Sequence, residues 1–288
     1  MRIQPIDDLL PPELEQGQRQ HTVWRYQGEG SLRSDTDQLA CEMPVALEYN
    51  GISHATVLAT PCDLEDFAWG FSLTEGVIRH AGDIYDLELE EREQGIVISL
   101  TIASACLDQL KRRRRALAGR TGCGLCGLES LDEVERPLAP LVPAQEMLTP
   151  AAIIQAAAQL RQRQPLHGAT GATHAAAWAS RDGELDTIRE DVGRHNALDK
   201  LIGHLARKKR LPGLPGTGFA LISSRASFEM VQKAAAAQIG ALVAVSAPTQ
   251  YAARMAQDLN VFLAGFTRTR NFTVYAHPEY LCSKDASQ

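Results

Sequence analysis

Two cysteines held two residues apart, in Gly122-Cys123-Gly124-Leu125-Cys126-Gly127, are the side chains of this sequence best suited to covalent chemistry. Thiols at that spacing can join as a disulfide, share a metal, or act in turn as nucleophiles. The glycines free the backbone and leave the thiols uncrowded, so a bulky partner can approach. The attacking species is the thiolate, which nearby positive charge favours. Arg120 and the run Lys111-Arg112-Arg113-Arg114-Arg115 supply that charge. Three uses compete. A structural zinc knuckle needs about four ligands, and only scattered residues such as His167, His174, His195 or Cys106 could complete the set. A thioredoxin-like redox pair would follow a strand and open a helix, whereas this pair sits in a glycine-rich loop after an arginine-rich segment. A sulfur carrier would use the thiolate to attack the outer sulfur of a donor persulfide, by chemistry parallel to thiol–disulfide exchange. The setting favours sulfur handling over a structural staple. Cys41, Cys62, Cys106 and Cys282 are each isolated, and are expected to be small buried apolar residues or inert surface thiols.

A second group of residues suits anions. Ser223-Ser224-Arg225-Ala226-Ser227 follows an apolar run and precedes a helical pattern. In an open α/β sheet that is where ligands bind, at the carboxyl ends of strands. Ser hydroxyls, helix N–H groups and the Arg225 guanidinium together suit a phosphate. Ser246-Ala247-Pro248-Thr249 repeats the arrangement, and Phe266-Thr267-Arg268-Thr269-Arg270-Asn271 adds two guanidiniums after a third run. Either serine-rich turn alone could be an ordinary helix cap, but two at successive strand ends point to one shared crevice. Glu190–Lys200 gathers charged and amide groups around Gly193, with Arg194 and His195 at an expected helix start. His174, in the small-residue stretch 168–178, is either a satisfied core histidine or part of the pocket wall.

The elements that must hold these groups follow from periodicity. Residues 21–27 read as a short strand. Met43–Tyr49 and Ile52–Ala59 flank Asn50-Gly51, the strongest short hairpin signal. Helical spacing over Asp63–Val77, with Asp63 as its cap, precedes strands at Ile84–Glu90 and Gly95–Ile102. Cys106–Ala118 reads as helical, Pro137–Pro150 as a connector, and Thr149-Pro150 as a helix start. From Phe219 onward short apolar strands alternate with helices, which argues for parallel β-α-β units. Three segments result: a mobile leader (1–20), a strand-rich part ending in the cysteine loop (21–136), and an α/β part (150–282).

The chain has 288 residues, 44% hydrophobic and 22% charged, which is ordinary for a globular protein. A formal net charge of −6 argues against a general nucleic-acid binder, so anions must be held by local basic sites. No stretch approaches the roughly 20 apolar residues of a membrane-spanning helix. The acidic, proline-bearing start lacks the apolar stretch of a signal peptide, which makes the cytoplasm the expected location.

GRTGCGLCG, THAAAW, EDVGRHNALDK, SSRASFEMVQKA, VSAPT and GFTRTRNFTVYAHPEYL resemble the formate dehydrogenase accessory sulfurtransferase family, FdhD, as do PVALEYNGISH and DLEDFAWGFSLTEGVI nearer the start. The likeness covers residues 40–280. It implies a cytoplasmic homodimer with a cytidine-deaminase-like α/β core and an N-terminal β-rich subdomain. It implies sulfur transfer from a cysteine desulfurase to a molybdenum cofactor carrying two pterin guanine dinucleotides, bound as substrate, with formate dehydrogenase as the client. No permanent cofactor and no metal ligands are implied. Cys123 matches the persulfide cysteine, Cys126 its partner, and Phe266–Asn271 the cofactor-binding stretch; Arg225, Ser227, Arg194 and His195 are expected to join it. The family often has glycine where Thr269 and Arg270 stand, and Thr and Arg avoid positive φ. Zinc-deaminase activity is not implied, because the His-x-Glu and Pro-Cys-x-x-Cys arrangement is missing. The rival functions are a chaperone that only holds the cofactor and a zinc-stabilised binding module.

Overall fold

The structure is a computed structural model that describes residues 17–26, 28, 30–118 (114–118 as backbone), 136–143, 148–211, 217–268 and 270–282. It is a mixed α/β fold with three sheets among those residues. The largest has six strands in the order β12-β11-β10-β9-β7-β8. These are β7 (His174–Ser180), β8 (Leu185–Asp191), β9 (Gly218–Ile222), β10 (Ala241–Ala244), β11 (Phe262–Gly265) and β12 (Thr273–Ala276). The three central strands β9, β10 and β11 are parallel, as the alternation of strand and helix implies. They are buried along their whole length, which is why each reads as an unbroken apolar run. β7, β8 and β12 run antiparallel to their neighbours.

Alternate residues of this sheet enter two different cores, as a strand's period of two requires. Phe219, Leu221, Val243 and Phe262 face α3 (Pro150–Gln162) through Ile153, Ala156 and Leu160. Thr149 caps α3 as expected, accepting a bond from Ala152 N at 3.1 Å. A short α4 (Pro165–Thr170) leads into β7. Ala220, Ile222, Leu242 and Leu263 face the other way, toward α5 (Arg194–Arg207), α6 (Phe228–Ala236) and α7 (Gln250–Asp258).

That second core continues into the first half of the chain. β3 (Met43–Tyr49), β4 (Ile52–Ala59), β5 (Ile84–Arg92) and β6 (Gly95–Ile102) form a four-stranded sheet ordered β4-β3-β6-β5. The Asn50-Gly51 hairpin joins β3 to β4 as the sequence implies, with both turn residues at positive φ. Val45, Leu47, Ile96, Ile98 and Leu100 share one continuous core with α1 (Leu64–Thr74) and with α5. Where α1 crosses α5, Gly70 and Gly203 bring the backbones together: a Cβ on Gly70 would stand 1.7 Å from Asp199 O, and one on Gly203 1.7 Å from Asp66 O. α2 (Ser104–Ala118) carries the arginine run.

Three expectations need correction. Asp63 precedes α1 but does not cap it: its φ is 53°, and its side chain makes no cap bond. Its carboxylate instead lies 3.3 Å from Arg189 Nε. The strand expected at 21–27 is β1 (Gln18–Tyr26), which begins inside the stretch taken as a leader. It pairs with β2 (Leu32–Ala40), a strand absent from the sequence reading, to form a two-stranded ribbon of its own.

Candidate functional site

Cys123, Cys126 and Thr269 lie outside the described residues. Of the other cysteines, Cys62 and Cys106 have their thiols pushed up mainly by burial, which makes them poor nucleophiles. Among the described residues, no group of three or more His, Cys, Asp or Glu is arranged to hold a metal ion.

The anion-binding candidates meet at one end of the six-stranded sheet. β9, β10 and β11 each end there, and each is followed by a turn rich in the expected residues. The turns are laced together by the main chain. Ala226 bridges Pro248, Thr249 N donates to Ala226 O at 2.9 Å, and Phe266 N donates to Ser246 O at 3.1 Å. Gly265 permits the last approach, since a Cβ there would meet Pro248 Cδ at 2.7 Å. Ser223 ties the first turn to β7: its hydroxyl accepts from Ala175 N at 2.8 Å. The turns expected to share one crevice therefore lie side by side, with Arg225, Phe266, Arg268, Arg270 and Asn271 exposed on them.

Thr267 has another task. It is buried, and its hydroxyl donates to Ala244 O at 2.9 Å, tying the turn to the end of β10. Among the described residues of this stretch, the left-handed one is Phe266, at φ 52°, rather than Arg270. Its ring is 43% exposed, so a large apolar face stands at the crevice edge.

β8 also ends at this edge of the sheet, because Asp191 pairs with His174 at the start of β7. The chain then turns into α5, with Gly193 as the cap residue and Arg194-His195 as the first helical pair. Asp191 fixes the turn. Its carboxylate accepts from Gly193 N at 2.8 Å, Asn196 Nδ2 at 3.0 Å and Thr60 N at 3.0 Å, and meets Lys200 Nζ at 2.7 Å.

The start of α5 lies against the start of α6. His195 Nε2 is 2.7 Å from Glu229 Oε2, though the contact lacks the alignment of a proper hydrogen bond. Burial is the main influence lowering the His195 pKa; Glu229 opposes it and Arg194 adds to it. The His174 pKa is lowered as well, by burial first and then by the Arg194 charge. Arg194 Nε and Ser227 Oγ are both buried and have no hydrogen-bond partner among the described residues. Ser227 is the cap residue of α6, 9% exposed, yet its hydroxyl does not cap the helix. Unpaired buried donors are costly and uncommon. Two of them stand at helix starts that touch through His195 and Glu229, with Arg225 close in sequence, and groups of this kind suit an anion.

The sequence reading missed Glu229, whose role appears only when two helix starts meet. It also missed a buried ionic cluster deeper in the protein. Lys233 Nζ lies 2.9 Å from Asp199 and 2.7 Å from Glu75, and Thr74 Oγ1 donates to Asp199 at 2.7 Å. Burial works against the Lys233 charge, but Asp199 and Glu75 outweigh it and raise the pKa. Two cavities lie apart from the crevice. One of about 310 Å³ is lined by Leu73, Lys209 and Gln238 where helices end, and one of about 610 Å³ lies at the foot of the β1–β2 ribbon.

Residues 40–282 match the model of the FdhD/NarQ family. The chain is 55% identical over 248 residues to the sulfur carrier protein FdhD of Bordetella petrii, covering 86% of this chain and 88% of that one. It is 54% identical to the protein of the same name from Cupriavidus necator, covering 90% and 87%, and 46% identical to that of Xanthomonas euvesicatoria, covering 90% and 91%. Its fold is similar to the crystal structure of a putative formate dehydrogenase accessory protein from Desulfotalea psychrophila. The TM-score is 0.71 at 23% identity, over 92% of this chain and 99% of the other.

Proposed function

Because the chain belongs to the FdhD/NarQ family, we propose that it is a sulfur carrier in the maturation of formate dehydrogenase. In this reading the Cys123 thiolate attacks the outer sulfur of a cysteine desulfurase persulfide. The donor's S–S bond breaks, the donor leaves as a thiolate, and Cys123 keeps the sulfur as its own persulfide. Cys126 is its partner, available to relay or resolve the sulfur. The acceptor is the molybdenum cofactor with two pterin guanine dinucleotides, bound as substrate in the strand-end crevice. The protein works as a cytoplasmic homodimer with a cytidine-deaminase-like core, its part 21–136 carrying the cysteines and its part 150–282 holding the cofactor.

The observation that carries the cofactor half of this reading is the cradle of unpaired donors, Arg194 Nε and Ser227 Oγ, beside Arg225. A dinucleotide supplies the phosphate oxygens such donors require. The exposed Phe266 ring offers a face for a purine base, and Arg268, Arg270 and Asn271 offer polar contacts around it.

The test is direct. The protein is incubated with a cysteine desulfurase and cysteine, and the added sulfur is mapped by peptide mass spectrometry. The expected result is an extra 32 mass units, roughly one sulfur atom as persulfide chemistry requires, on the Cys123 peptide and none in Cys123→Ala. Sulfur found elsewhere with an unmodified Cys123 overturns the reading. A Cys123→Ser protein that still yields active formate dehydrogenase favours the holding chaperone instead.

A further inference from the structure

The last carbonyls of a helix have no partner within it and must find one elsewhere. At the end of α1 every one does. Phe71 O accepts from Glu75 N at 2.9 Å, and Ser72 O from Val77 N at 2.9 Å and Ile78 N at 3.1 Å. Leu73 O and Thr74 O accept from Arg136 Nη1 at 3.3 Å and 2.5 Å. Glu75 O and Gly76 O both accept from Arg113 Nη1 at 3.3 Å. Gly76 makes room for this: a Cβ on it would meet the Arg136 guanidinium at 2.2 Å.

Basic side chains commonly gather at a helix C-terminus. What sets this pair apart is its origin. Arg113 lies in α2 and Arg136 opens the next described segment, so the whole stretch 114–135, with Cys123 and Cys126, runs between them. Both ends of that stretch are fastened to one helix end. The fastening continues inward. Arg136 N donates to Gln232 Oε1 of α6 at 2.8 Å. Glu75, whose carbonyl holds Arg113, pairs with Lys233 of α6, which pairs with Asp199 of α5. The same two helices start at Ser227 and Arg194, where the unpaired anion donors stand. Gln232 is five residues beyond Ser227, a rise of about 7.5 Å along α6.

We infer that Arg113 and Arg136 are positioning residues for sulfur delivery: they anchor the two ends of the cysteine-bearing stretch to the end of α1, at a fixed offset from the crevice. The inference rests on Cys123 being the sulfur-carrying residue. A donor that comes from solution, as the desulfurase does, meets the thiol without reference to the crevice, whereas transfer to a bound cofactor depends on the distance between the two sites. The arginines therefore govern delivery and not loading.

Arg113→Gln, Arg136→Gln, Arg136→Lys and the double glutamine variant are compared with the parent in three assays. These are sulfur loading of Cys123, affinity for GDP, and formate dehydrogenase activation per loaded persulfide. Loading and GDP affinity are expected to stay within about twofold of the parent, while delivery falls about tenfold or more in the double variant as the effective molarity of the thiol drops. Arg136→Lys keeps a donor for the two carbonyls and is expected to recover most of the delivery. Should the double variant not fold, Arg113→Gln is expected to show the same split to a smaller degree. Variants that deliver sulfur as well as the parent overturn the inference and leave the Cys123 reading intact. Variants that lose loading, binding and delivery together show the arginines to be merely structural, which also overturns it. A parent that never loads Cys123 overturns the carrier reading, and this inference with it.

Discussion

Asp191 and Lys200 face each other at 2.7 Å with no exposed side-chain surface on either. Lys200 also donates to Thr60 O at 2.9 Å and Glu190 O at 3.3 Å, so one ammonium joins β8, α5 and the segment after β4. Removing one partner of such a pair strands a buried charge, which costs about 3–5 kcal/mol. Lys200→Met is therefore expected to lower the unfolding free energy by about that amount, read as a lower urea midpoint at unchanged slope. Asp191→Asn with Lys200→Met should recover part of the loss; a double variant no better than the single would refute the pairing argument.

The crossing of α1 and α5 gives a second prediction. No side chain fits between Gly203 and Asp66 O, so Gly203→Ala must push the helices apart. Overpacking typically costs ~1–3 kcal/mol, and a contact against backbone belongs at the upper end or beyond. Thermal unfolding of Gly203→Ala and Gly70→Ala, each beside an exposed-site control such as Gly168→Ala, measures it. Gly168 has open space where a Cβ would stand.

Acid should weaken the protein through its half-buried histidines. His204 sits among Asp66, Arg189 and Arg207; burial lowers its pKa, Arg189 lowers it further, and Asp66 opposes them. His195 and His174 are lowered as well, burial being the largest cause in each. A histidine depressed in this way binds fewer protons folded than unfolded. Its contribution is complete above the unfolded value, about 6.5, and is lost as the pH falls through the folded value. Urea midpoints are expected to be flat from about pH 7 to 8 and to fall below about pH 6.5, with a shallower fall in His204→Gln.

The anion cradle predicts that Arg194→Ala and Arg225→Ala weaken GDP binding. A hydrogen bond to a charged group is worth about 1.5–3 kcal/mol, or roughly 10- to 150-fold in affinity. Ser227→Ala should cost less, several-fold, because its hydroxyl is neutral. Calorimetry with GDP, and with pyrophosphate for comparison, reads both effects. Unchanged affinity in all three variants would remove the cradle as the phosphate site.

Much of this arrangement is legible in the sequence. The short apolar runs that become β9, β10 and β11 alternate with helical patterns, which reads as parallel β-α-β units, and Ser223–Ser227 and Thr249 mark the helix starts between them. The polar density of 190–200 likewise points to the α5 start. β2 escapes notice because LRSDTDQLA lies mostly in solvent on both faces, so no hydrophobic alternation marks it. Asp63 misleads because a carboxylate next to a helix start resembles a cap, while Arg189, distant in sequence, draws it away. The pairs His195–Glu229, Asp66–Arg189 and Glu75–Lys233 each join separate elements. No local pattern in one sequence encodes them.

The glycine crossing also bears on how the chain can be divided. α1 comes from the first half and α5 from the second, yet their backbones touch, and a single apolar core runs from Val45 to Ala276. Severing the connector would leave each piece with half an interior open to water, and neither should fold by itself. Mixing the two fragments should restore what neither achieves alone, in the manner of a split reporter reassembling.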